Sequence, residues 1–345
     1  MTAAASPLTL CLALLAALAA APLAAAEKAG ADQVAPAATT QAGEKDAPAA
    51  EDRAYAAYQR GLYLTAYREA LPLAEQGDRA AQTLLGELHS RGLGVATDLK
   101  LAEKWYRAAA AQGDPAAQFA LGALLTADKS AKPDRRREAA GYFEKAAAQG
   151  HAGAHYRLGL IEIEGELRPR DLRKALEHLT FAAERGHGEA QYSLGTLYGE
   201  GAGAAPDPVA AALWTGRAAQ AGVADAQLDY GIMVFKGRGV AANEELGAEW
   251  IRRAAEKGNP VAQNRIARLY ANGRGVAIDP VAAAKWHLIA RAGGLSDIWL
   301  DGYVATLSQD DRKTAQAQAQ AFQQAATFPE AGLQEQWTTG GPARP

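Results

Sequence analysis

The sequence predicts an all-α solenoid of stacked helix pairs, and three observations carry that prediction. Glycines at Gly77, Gly113, Gly150, Gly186, Gly222, Gly258 and Gly294 recur at gaps of 36, 37, 36, 36, 36 and 36 residues. Three further columns run in phase with them over six copies. One is glycine (Gly86, Gly122, Gly159, Gly195, Gly231, with Ala267 in the sixth place). Another is Asp or Asn (Asp98, Asp134, Asp171, Asp207, Asn243, Asp279), and the last is mostly aromatic (Trp105, Tyr142, His178, Trp214, Trp250, Trp286). The third observation is composition. Alanine dominates and aromatics make up 7% of the 345 residues, so each side chain removes little apolar area from water. Such a chain fills thin layers between close helices better than a deep globular core.

The N-terminus reads as an address. Leu8 to Ala26 is an apolar Ala/Leu stretch ending in Ala24-Ala25-Ala26, a small-residue pattern that suits signal peptidase, with cleavage expected after Ala26. It lacks a Lys or Arg ahead of the apolar run, and an uncleaved leader would instead be long enough to anchor the chain in a bilayer. Cys11, the sole cysteine, lies inside this leader, so a processed chain could form no disulfide in an oxidising compartment. Residues 27–50 are rich in Ala, Pro, Thr and Glu without apolar periodicity and are expected to be a disordered linker.

From residue 51 the pattern is helical. Ala54 to Gly61, followed by Tyr63, Ala66-Tyr67 and Ala70, suits an N-terminal helix pair over 51–77. Six repeats are expected at 78–113, 114–150, 151–186, 187–222, 223–258 and 259–294. In each, the Asp/Asn column sits where a side chain must accept from the free N–H groups that open a helix. From Asp98, Ala102, Trp105, Tyr106 and Ala109 recur at helical spacing, so one stripe faces inward. Gly113 and its equivalents then close the helix at the position that needs a left-handed backbone. The Gly86 column lies inside the other helix, where glycine costs about 1 kcal/mol relative to alanine. Close approach of a neighbouring helix explains it, with the Ala109-Ala110 column expected as the facing surface. Ser296-Asp297, and Ser308 with Asp311, can cap further helices over 295–327 that cover the open end. The tail 328–345 is expected to be loose.

Between the helices runs Gly92-Leu93-Gly94-Val95, echoed at Gly201 to Ala204, Gly237 to Val240 and Gly273 to Val276. No Gly-Lys-Ser/Thr follows and no strand precedes it, so it is a turn and not a phosphate loop. These columns resemble the Sel1-like repeats, relatives of the tetratricopeptide repeats. The copies that carry the resemblance best are Ala81 to Val95 with Asp98 and Lys104 to Ala109, and the stretch from Ala262 to Gly294. The resemblance implies a right-handed α/α superhelix of helix pairs. Two copies depart from it: Asp128-Lys129-Ser130 stands in place of the Gly-x-Gly turn in the second, and Gly165 to Pro169 in the third.

Catalysis is hard to place on this pattern. All six histidines fall in repeat columns: His89 and His287 where Tyr stands elsewhere, His178 in the aromatic column, His155 in the column of Gln82, Gln118 and Gln191. His151 and His187 each follow a terminal glycine. His151 and His155 have helical metal spacing but no identifiable third ligand, so no metal and no cofactor is expected. Glu162 and Glu164 are two apart and point to different sides of a helix, and there is no Gly-x-Ser-x-Gly elbow. A formal net charge of -3, with Arg135-Arg136-Arg137 followed at once by Glu138, argues against nucleic acid as a partner.

What the fold offers is a groove lined by the first helix of each unit. By analogy with tetratricopeptide grooves, Thr83, Phe119, Tyr156, Tyr192, Leu228 and Asn264, then Glu87, Thr196 and Arg268, are expected to face it. The competing reading is that Phe119, Tyr156 and Tyr192 pack between units. The expected function is a non-enzymatic protein-interaction scaffold, periplasmic or secreted, monomeric, that binds a protein or extended peptide. Membrane attachment is expected only if the leader is retained. The resemblance also implies two narrower roles, regulation of a membrane sensor kinase and assembly of exopolysaccharide or envelope. The other class is a cell-wall-active enzyme or peptidoglycan binder. Relatives linked to penicillin recognition carry a disulfide in each repeat, for which this chain lacks the cysteines.

Overall fold

The computed structural model describes residues 50–127 and 132–327. The leader, the linker up to residue 49, the segment Asp128-Lys129-Ser130 and the tail 328–345 lie outside the described residues. The described residues form sixteen helices and no strand, an all-α repeat fold of packed helix pairs.

The chain divides into two compact units, up to Ala182 and from Ala183 onward. The first contains α1 (Ala50–Gln59), α2 (Tyr63–Glu75), α3 (Arg79–Arg91), α4 (Leu99–Ala111), α5 (Pro115–Thr126), α6 (Pro133–Ala148), α7 (Ala152–Glu164) and most of α8 (Leu172–Glu184). Its core is built of small residues with a few large ones between them: Ala54, Ala66, Ala70, Leu85 and Leu88 near the N-terminal pair, then Ala102, Tyr106, Leu121, Phe143 and Leu158. The second contains α9 (Gly188–Glu200), α10 (Pro208–Gln220), α11 (Ala224–Lys236), α12 (Glu244–Glu256), α13 (Pro260–Asn272), α14 (Pro280–Ala292), α15 (Ile298–Thr306) and α16 (Gln309–Thr327). Here Ala248, Ile251, Ile266, Trp286, Ile289 and Leu300 are buried together, and α16 lays Ala319 and Phe322 on α14, the latter edge-on to Trp286 at 5.3 Å.

Helix starts follow the sequence in most places. Asp98 accepts from Lys100 and Leu101 N–H, Asp207 from Val209 and Ala210, Asn243 from Leu246 and Asp279 from Ala282. Ser308 accepts from Asp311 N–H and donates to its carboxylate. Asp134 departs from its column. Pro133, with no N–H to satisfy and a preset φ, opens α6 two residues earlier than the column predicts, so Asp134 lies inside the first turn and pairs with Arg137 at 2.7 Å. The column after the terminal glycine caps the first helix in five of the six repeats, Asp78, Asp114 and Asn259 through oxygen and His151 and His187 through Nδ1, while Val223 makes no side-chain cap.

The facing surface of the in-helix glycines differs from the expected Ala109-Ala110 pair. A Cβ on Gly86 would stand 2.5 Å from the Tyr106 ring, on Gly122 2.6 Å from Phe143, on Gly159 2.8 Å from Leu179 and on Gly231 2.8 Å from Ile251. The partner is the residue after the aromatic column. The turn holding Ala109 and Ala110 is engaged with the next unit, where Gln118 Nε2 donates to the Ala110 carbonyl at 3.3 Å. That amide link recurs. Gln82, Gln191, Gln227 and Gln263 each donate to the carbonyl eight residues earlier, at 3.0 to 3.1 Å.

Candidate functional site

In the first unit, α3 carries Thr83 and Glu87 one turn apart. Thr83 donates its hydroxyl to the Arg79 carbonyl. Glu87 is the centre of a network: Tyr106 Oη donates to Oε2 at 3.0 Å, and Arg91 and Tyr58 donate to Oε1 at 2.9 and 3.5 Å. Burial, then the Glu87 charge, raises the hydroxyl of Tyr106 far above the ordinary tyrosine range, so it stays a donor at every physiological pH. Phe119 on α5 stacks on the His151 ring at 4.5 Å and meets Phe143 at 5.9 Å, which makes it a packing residue between helices. Tyr156 on α7 is half-buried.

In the second unit, Tyr192 on α9 donates to Asp229 Oδ2 at 2.8 Å and Thr196 donates to the Tyr192 carbonyl. Leu228 is 7% exposed and belongs to the core. Asn264 and Arg268, a turn apart on α13, are brought together on one acceptor. Asn264 Nδ2 reaches Asp297 Oδ2 at 2.8 Å, and Arg268 forks onto both carboxylate oxygens at 2.7 and 2.8 Å. Asp297 also caps α15 by accepting from Trp299 and Leu300 N–H. The Arg268 guanidinium, ahead of the other donors, holds this carboxyl far below the usual carboxylate range. The same guanidinium lies over the Trp299 ring at 5.1 Å, and Trp299 stacks on Tyr303.

Several participants escape sequence reasoning. Asp297 reads only as a helix cap, and Asp225 and Asp229 belong to no shared column. Asn259 donates to Asp225 at 2.6 Å, and burial raises the pKa of both aspartates. The capping role of His151 and His187 was legible, since Asp78, Asp114 and Asn259 share their column.

A cavity of about 310 Å³ opens in the first unit between α6, α7 and the start of α8. Glu144, His155, Glu162, Arg168, Lys174 and His178 supply its polar lining. Arg168 spans Glu144 at 3.1 Å and the buried Glu162 at 3.4 Å. His89, also buried, meets Tyr67 edge-on at 5.6 Å, and neither ring nitrogen has a hydrogen-bond partner among the described residues. Among the described residues no group of three or more His, Cys, Asp or Glu side chains is placed to hold a metal ion, and no helix is long and apolar enough to cross a membrane. The arrangement presents preorganised polar and aromatic groups for contact.

A family model described as the Sel1 repeat matches six consecutive segments, residues 79–114, 115–151, 152–187, 188–223, 224–259 and 260–295. Among solved structures, a Sel1 repeat protein from Oxalobacter formigenes is 29% identical, with 70% of this chain and 96% of that one covered and a TM-score of 0.61. A protective antigen, c5321, present in uropathogenic Escherichia coli strains and displaying an SLR fold, is 26% identical; 86% of this chain and 72% of that one are covered, with a TM-score of 0.52. No curated protein matches the chain.

Proposed function

The chain belongs to the Sel1 repeat family, and we propose that it is a non-enzymatic scaffold of the bacterial periplasm that binds a protein or extended peptide. Sel1-repeat proteins are generally protein–protein interaction scaffolds and typically non-catalytic. The single observation that carries the reading here is the Arg268–Asp297–Trp299 arrangement. Arg268 remains 47% exposed along its side chain although both of its carboxylate bonds are made, and Trp299, whose ring lies beneath it, is 45% exposed. Arginine and tryptophan are the residue types that anchor interfaces, and here the order is already imposed before a partner arrives. Export rests on the apolar run from Leu8 to Ala26.

The test is crosslinking in intact envelopes with the wild-type chain and with Arg268→Glu/Trp299→Ala. One dominant protein crosslinked to the wild type and lost in the folded double variant supports the reading. Identical crosslinks from both, or retention on isolated peptidoglycan without a protein partner, would discard it. Mass spectrometry of the native N-terminus decides the export step, with Glu27 as the expected first residue.

A further inference from the structure

Five of the six repeats tie their first helix to the preceding one with a glutamine amide; the third uses His155. Its Nε2 lies 3.1 Å from the Ala147 carbonyl, the same link eight residues back. A carbonyl can only accept, so His155 Nε2 carries the proton and Nδ1 of the neutral ring is a bare acceptor. That atom lies 3.0 Å from His178 Nδ1, which must therefore be the donor. The His155 ring is also stacked on Phe181 at 3.7 Å. One proton thus joins two imidazoles, and this is the only repeat among the six in which both the amide column and the aromatic column hold histidine.

We propose that His155 and His178 form a proton-sensitive clasp, which binds α7 to α6 and α8 at neutral pH and loosens under mild acid. A further proton has two places to go. On His155 Nδ1 it removes the acceptor and leaves two N–H groups facing each other. On His178 Nε2 it keeps the bond but puts a cation into a half-buried site. There Glu162 on α7, Glu177 on α8 and Glu144 on α6 favour the charge, while Arg168 in the preceding loop and Lys174 on α8 oppose it. Burial is the largest influence, and the balance holds the His178 pKa below the ordinary histidine value of 6.5. The sign follows. A base with a depressed native pKa stabilises the fold above the unfolded value, and that contribution is lost as pH falls through 6.5 toward the native value. A glutamine at 155 would keep the link to Ala147 with nothing to titrate at that position.

The experiment compares melting of the full chain between about pH 7.5 and 5 in the wild type, His155→Gln and His178→Tyr, each variant restoring a side chain used in the same column of other repeats. The wild type is expected to lose about 2–4 °C more over this range than either variant. Ring nitrogen NMR should place one proton between the two Nδ1 atoms at pH 7.5 and show one ring of the pair protonated at both nitrogens by pH 5. Equal pH slopes in all three proteins, or a His155 ring protonated at Nδ1 at neutral pH, overturn the clasp. Should His155→Gln fail to fold, His178→Tyr and the NMR signal of the wild type still decide it.

Discussion

Gly86 and Tyr106 touch so closely that a single added methyl on the glycine would stand 2.5 Å from two carbons of the tyrosine ring. The pair sets the distance between α3 and α4, and the same position is filled by Phe143, Leu179, Thr215 and Ile251 against the glycines of the next four repeats. Only in the sixth does alanine replace glycine, and there the residue equivalent to Tyr106 is His287, whose Nε2 lies 2.8 Å from Asp301 Oδ1. Gly86→Ala gains about 1 kcal/mol in helix propensity but overpacks a filled contact at about 1–3 kcal/mol. A net loss in a denaturant melt is expected, larger for Gly231→Ala, whose Cβ would also meet the Gly247 carbonyl at 2.9 Å. Stabilisation by Gly231→Ala would show that the helices are free to move apart.

The departure of Asp134 from its column makes a paired test. Asp207→Ala removes an acceptor for two helix-opening N–H groups and is expected to cost about 1 kcal/mol. Asp134→Ala removes only an exposed pair with Arg137 and is expected to stay within about 0.5 kcal/mol. Chemical denaturation of the two variants separates them, and equal losses would contradict the helix start at Pro133.

Arg268→Ala is expected to cost about 1 kcal/mol at pH 7, the half-exposed guanidinium being partly screened by water. Because Asp297 has a depressed pKa, its stabilising contribution is present above the unfolded value of 3.8 and disappears as pH falls through the native value. The difference between wild type and variant should therefore be constant from neutral pH to about pH 4 and shrink in stronger acid. A difference that stayed constant down to pH 2 would mean that packing on Trp299, not the carboxylate, carries the stability.

Asp229 behaves oppositely. Burial raises its pKa, with the Tyr192 hydroxyl offsetting part of the penalty. A carboxyl with a raised native pKa favours the fold below its unfolded value, and that advantage is lost as pH rises through the native one. Asp229→Asn is expected to raise the melting temperature at pH 7 and to give no gain at pH 3, while Tyr192→Phe lowers it at pH 7. A melting temperature at pH 7 lowered by Asp229→Asn would mean that the charge is needed, as it would be if Arg265 formed its principal partner.

Much of this molecule could be read from residue order, and the parts that could not share a cause. The glycines from Gly77 to Gly294 announce helix ends, because a left-handed backbone penalises any side chain, and all seven have positive φ. Asp98, Asp207, Asn243 and Asp279 announce helix starts, because the free N–H groups lie within two or three residues of them. The groove positions were harder. Phe119 and Leu228 occupy equivalent places in the repeat, yet one stacks on a capping histidine and the other sinks into the core.

Period, most helix boundaries and the family were thus determined by sequence alone, since each rests on interactions between residues a few positions apart. Which side chain opposes Gly86, how His155 and His178 come to share a proton across 23 residues, and why Arg268 answers to Asp297 were decided only by tertiary structure. Those pairings depend on how neighbouring helices cross, and a linear pattern of apolar and polar residues leaves that angle open.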